Sequence, residues 1–83
     1  MREEAREIVA VLRDEKRVSQ RELARMLGVM PYVVCRWGRG ESVPSADNMR
    51  RLVAIYEKLR DVEIRYVGQA ADYLVGLDIA KGR

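Results

Sequence analysis

The stretch SQRELARMLGVMPYVVCRWGRG, from Ser19 to Gly40, decides how the chain reads. Ser19 offers a helix N-cap, and Glu22 three residues later completes a Ser-x-x-Glu capping box, in which side chains satisfy the free backbone donors of the first turn. A helix is therefore expected from Gln20 to Leu27, with Leu23, Ala24 and Leu27 facing inward. Gly28 ends it, because glycine enters the left-handed region without steric cost. Pro31 suits the first turn of a following helix, where its missing N–H breaks no bond. That helix is expected to reach about Trp37 and to stop at a Gly38-Arg39-Gly40 turn.

With Gln20 as position 1, the residues Leu23, Ala24, Leu27, Gly28, Val29, Val34 and Trp37 fall at positions 4, 5, 8, 9, 10, 15 and 18. Each has a use in two helices that cross behind a tight turn. Leu23, Leu27, Val34 and Trp37 are inward knobs, and Val29 plugs the corner. Ala24 is small where the second helix passes close, and Gly28 permits the turn. The spacing predicts a helix-turn-helix.

Around it the chain reads as helices too. Ala5, Ile8, Val9, Val11 and Leu12 recur at helical steps, predicting a first helix from Arg2 or Glu3 to about Lys16, with acids in its first turn. Pro44-Ser45 opens a fourth helix, with Ser45 as cap, Asp47 in the first turn, and Met49, Leu52, Val53, Tyr56 and Leu59 as its apolar stripe. Beyond Arg60, Val62, Ile64 and Tyr66 alternate like a strand, whereas Tyr66, Ala70, Tyr73, Leu74 and Leu77 keep helical spacing. A helix is expected from about Gln69 to Ala80, and Val62–Val67 either extends helix four or forms a short edge strand. The fold class is all-α: a bundle of about five helices, with residues 1–60 as the core and 61–83 as a C-terminal extension of a single domain.

Composition removes many alternatives. Eighty-three residues suit one core, since two would have about forty residues each. One cysteine forms no internal disulfide, and without histidine neither a zinc site nor Ser–His or Cys–His chemistry is available. No nucleophile–base pair stands out, so the chain does not read as an enzyme, and no cofactor is implied. With 35% charged residues, no apolar run approaches the roughly twenty residues of a membrane span. The N-terminal MREEAREIVAVLRDEK lacks a secretory cleavage pattern, so a cytoplasmic protein is expected. The net charge of +3 is uneven: from Lys16 to Gly40 six cations stand against Glu22 alone. That segment is either a nucleic-acid surface or a solvated basic face.

The matching residues are Leu12-Arg13, Ser19-Gln20, Glu22-Leu23-Ala24, Leu27-Gly28-Val29, Arg36-Trp37-x-x-Gly40 and Pro44-Ser45. Through them, Leu12–Leu59 resembles the Xre/Cro-like helix-turn-helix family of phage repressors and microbial regulators. The resemblance implies a lambda-repressor-like bundle whose third helix reads the DNA major groove, usually with two copies on a palindromic operator. Carried over, it makes Pro31, Tyr32, Val33, Cys35 and Arg36 the base-reading positions. Arg36 leads, because a guanidinium grips guanine O6 and N7 bidentately; Tyr32 would meet a base edge and Val33 a thymine methyl. Gln20 would hold a phosphate at a helix N-terminus, and Arg13, Arg17 and Arg39 would follow the backbone. Two departures stand out. Met30 occupies the place of the family's frequent Ser or Thr cap, and Gly38 that of a glutamate often paired with an arginine like Arg13, which leaves Arg13 freer for phosphate.

Each site has a plainer alternative. Arg36 and Tyr32 are otherwise surface residues, while Trp37 reads as core. Cys35, with no second cysteine, reads as a small groove residue rather than a redox switch. Tyr66, Ala70, Tyr73, Leu74 and Leu77 carry more apolar surface than one short helix hides, so self-association is expected there. The whole reads as a homodimeric transcriptional repressor. The rivals are an antitoxin that represses its own operon and docks a toxin, and a protein-interaction module contacting, for instance, polymerase.

Overall fold

The computed structural model describes residues 2–63, in which the chain forms four α-helices and no strand. Helix α1 spans Arg2–Asp14 and buries Ala5, Ile8, Val9 and Leu12, one face at three- and four-residue steps. It ends two residues before the expected Lys16. The Glu15 and Lys16 N–H groups both donate to the Val11 carbonyl, at 2.9 and 3.2 Å, and the Val18 N–H returns to Leu12 at 2.8 Å. Arg17 makes this reversal at φ 60°, a left-handed position taken by a residue other than glycine. The reversal carries Val18 into the core, 1% exposed.

Helix α2, Gln20–Leu27, begins with the expected capping box. The Glu22 N–H donates to Ser19 Oγ, and the Ser19 N–H to Glu22 Oε1, both at 3.0 Å. Gly28 closes it at φ 72°. Helix α3, Pro31–Arg39, starts from Met30, whose side chain makes no capping bond, with Pro31 in the first turn. It runs two residues past Trp37. Gly38 is thus inside α3 and not part of a turn, and the left-handed stop is Gly40 at φ 74°. A Cβ on Gly38 would lie 3.4 Å from Val9 Cγ1, so α3 faces α1 at this glycine.

Helix α4, Ala46–Leu59, is capped by Ser45 Oγ, which accepts the Asn48 N–H at 3.1 Å. Its buried residues are Met49, Leu52, Ile55 and Leu59. Val53 and Tyr56, expected in the stripe, are half-buried at its edge, and Ile55 takes the centre. Among the described residues, Val53 and Tyr56 line an open hollow between α1 and α4 together with Ile8 and Val11.

Two cations join the helices. Lys16 Nζ donates to the Arg60 and Val62 carbonyls at 3.0 and 2.9 Å, closing the C-terminal end of α4, which has no glycine cap. Arg51 reaches from α4 to the Met26 carbonyl in the last turn of α2, at 3.2 Å. The core formed by all four helices holds Leu12, Leu23, Val34, Leu52, Ile55 and Leu59 at its centre and, among the described residues, no buried polar or charged residue. The expected fifth helix and the expected self-association residues Tyr66, Ala70, Tyr73, Leu74 and Leu77 lie outside the described residues.

Candidate nucleic-acid interface

Helix α3 is held from behind. Val34 and Trp37 are 0% and 2% exposed, and Gly38 rests against Val9. A nine-residue helix alone in water is marginal, so these contacts give it a fixed position. Its other side is open. Tyr32, Arg36 and Arg39 follow at steps of four and three, which places them in one stripe along the helix. Tyr32 is 61% exposed, and the Arg36 and Arg39 side chains are 51% and 66% exposed. Pro31 and Met30 are exposed at the leading end. Val33 and Cys35 flank the stripe, both half-buried, with Val33 packed against the core.

The remaining residues singled out in the sequence sit elsewhere. Gln20 is the first residue of α2, half-buried beside the capping box, and Arg17 is exposed at the left-handed reversal. No ion pair holds Arg17, Arg21 or Arg25 among the described residues. Arg13 is not freed by the glycine at position 38. Its Nε and Nη2 donate to the two carboxylate oxygens of Asp14 at 2.8 and 3.2 Å, because the next residue in the chain supplies the anion instead. Those hydrogen bonds, and then the charge attraction, raise the Arg13 pKa. The same bonds, helped by the Arg13 charge, hold the Asp14 carboxyl below its ordinary value against an opposing desolvation.

Two residues enter this surface that the sequence reading passed over. The Arg6 side chain of α1 lies across the end of α3: a Cβ on Gly40 would be 3.6 Å from Arg6 Cδ. Glu41 follows Gly40 and lies 3.9 Å from both Arg36 Nε and Arg39 Nη1. Glu41 had a legible signal, as the first acid after Glu22 along a basic stretch. Arg6 had none, because only the packing of α1 on α3 brings it there.

The charge on the α1–α4 side differs. The hollow there is bordered by Glu4, Glu7 and Glu57, with Arg60 at one end. Among the described residues no cluster of acidic, cysteine or histidine side chains could hold a metal ion, and no helix is long and apolar enough to cross a membrane. Compared with known proteins, the chain matches no family model, no curated protein and no solved structure.

Proposed function

We propose that the chain is a sequence-specific double-stranded-DNA-binding regulator. In this reading α2 and α3 form a lambda-repressor-like helix-turn-helix, and α3 enters the major groove. The observation that carries it is the exposed Tyr32–Arg36–Arg39 stripe on a helix braced by buried Val34 and Trp37. An α-helix fits the major groove, and an arginine on guanine contributes about 1–3 kcal/mol of discrimination. Arg36 stands mid-stripe, where the groove is deepest. Met30, Pro31 and Tyr32 give the leading end an apolar surface suited to thymine methyl groups. Arg39, Arg17 and the N-terminus of α2 at Gln20 would take phosphates.

Two copies on a palindromic site, joined through the segment containing Tyr66 and Tyr73, would place paired α3 helices one helical turn apart and repress by occupancy. The test is selection of duplexes from a random pool, followed by titration across salt. A selected half-site containing guanine is expected. Arg36→Ala should relax base preference at one position per half-site, whereas Arg39→Ala should weaken all duplexes about equally and lower the salt slope by about one. A chain that enriches no sequence and binds duplex without salt dependence is not a DNA reader.

A further inference from the structure

The α3 stripe ends beside a carboxylate that the reading above leaves without a role. The Gly40 N–H donates to the Trp37 carbonyl at 3.1 Å and the Glu41 N–H to the Arg36 carbonyl at 2.9 Å, which clamps this backbone to the last turn of α3. From that fixed point the two carboxylate oxygens face different arginines: Oε1 lies 3.9 Å from Arg36 Nε, and Oε2 lies 3.9 Å from Arg39 Nη1. Both separations exceed a hydrogen bond, so the arginines are drawn to the carboxylate while their N–H donors stay open. The placement is unfavourable in two respects. A negative charge stands at the negative end of a helix, on a surface meant to meet a polyanion.

We propose that Glu41 is a specificity-determining residue: it restrains Arg36 and Arg39 and penalises contact with phosphate alone, which separates operator from random duplex. The inference rests on the DNA-binding reading. On random duplex the two guanidiniums gain only from phosphates, and every phosphate that approaches them also approaches Glu41. On an operator, Arg36 meets guanine O6 and N7, which are neutral acceptors that a nearby carboxylate repels far less. The geometry favours this contact further. Glu41 faces the Nε side of Arg36, which leaves its two terminal nitrogens for the end-on fork that guanine accepts. The carboxylate thus extends the ordering of α3 from backbone to side chain.

Glu41→Gln removes the charge and keeps the shape at a half-exposed position. Wild type and variant are titrated across salt on a selected duplex and on a scrambled one. The variant should bind scrambled duplex about three- to tenfold more tightly, with a salt slope steeper by up to about one. Its affinity for the selected duplex should change less than about threefold, so the ratio between the two falls. In an Arg36→Ala background the same substitution should leave that ratio unmoved, which a merely structural role for Glu41 does not predict. An unchanged ratio in the Glu41→Gln variant overturns the proposal, whether both affinities rise together or neither moves. A wild-type chain that selects no duplex overturns the DNA-binding reading and this proposal with it. Running the wild type first keeps the two failures distinct.

Discussion

Gly28 and Gly38 offer a comparison in which available space and backbone conformation predict opposite outcomes. A Cβ on Gly28 would meet nothing within 4 Å, whereas one on Gly38 would touch Val9 Cγ1 at 3.4 Å. Judged by space, alanine belongs at 28 and not at 38. Backbone conformation reverses the order. Gly28 sits at φ 72° and ψ 30°, where an L side chain costs roughly 1–2 kcal/mol. Alanine recovers about half a kcal/mol by restricting the unfolded chain, leaving a net loss of about 1 kcal/mol. Gly38 is inside α3, where alanine gains roughly 0.5–1 kcal/mol over glycine, and 3.4 Å is an acceptable carbon–carbon contact that asks little of Val9. Gly28→Ala should therefore lower Tm by about 4–8 °C, and Gly38→Ala should raise it by about 2–8 °C. Thermal melts followed by helical circular dichroism, at one protein concentration, read both. If Gly38→Ala melts below wild type, the α1–α3 contact is too tight for any side chain and the propensity argument fails. If Gly28→Ala is neutral, the left-handed turn is not what fixes glycine there.

Two other substitutions test how the charges are distributed. Lys16→Met removes the donor to the Arg60 and Val62 carbonyls and should cost about 1 kcal/mol in chemical denaturation, with the salt slope of duplex binding unchanged because that ammonium is already committed to α4. A lowered slope would place Lys16 on the DNA instead. Asp14→Asn releases Arg13 from its carboxylate and should tighten random-duplex binding about twofold while leaving the thermal melt unchanged, as expected for an exposed pair. Because hydrogen bonding depresses the Asp14 pKa, the pair is intact above the unfolded carboxyl range and is lost only as pH falls through the folded value. The effect should therefore be the same at pH 6 and pH 8. Filter binding at both pH values checks this.

What could be read from the sequence follows from how local each signal is. The Ser19–Glu22 box, the Gly28 stop, Pro31 and the Ser45 cap act within four residues of themselves, and the boundaries they set for α2 and the start of α4 were correct. Gly38 was misread because a glycine after Trp37 resembles a helix stop; the left-handed stop falls two residues later at Gly40, and Gly38 lies within the helix facing Val9. Val18 carries no periodicity in its loop, so its burial came from the left-handed turn at Arg17. Ile55 and Val53 are equally apolar. Which of them faces the core depends on how α4 lies against the other helices, and that is a tertiary fact. On the candidate surface, Tyr32 and Arg36 were marked only by the resemblance, and Arg39, expected in a turn, joins their stripe because α3 continues to Arg39. The basic segment, however, ends at Gly40 in that reading, one residue short of the carboxylate that lies 3.9 Å from both its arginines.

The cations of that segment fall into distinct physical classes, and the division bears on how such a surface would distinguish sequences. Lys16 is bound to the end of α4 and contributes to stability. Arg17, Arg21 and Arg25 are exposed and, among the described residues, without ion pairs, so on the proposed function they would add attraction that any duplex satisfies equally. Arg36 and Arg39 stand on a helix fixed through Val34 and Trp37, and each lies 3.9 Å from the Glu41 carboxylate, which on the proposal above would restrain them. An arginine held in place loses less side-chain entropy on contact than a free one, which otherwise forfeits up to about 2 kcal/mol. Order at those two positions favours the partner whose acceptors lie where the guanidiniums already are, and it gives little advantage to a partner that accepts them anywhere. Raising the total positive charge would strengthen the indiscriminate class alone, so a surface built for selectivity gains more from one well-placed acid than from another arginine.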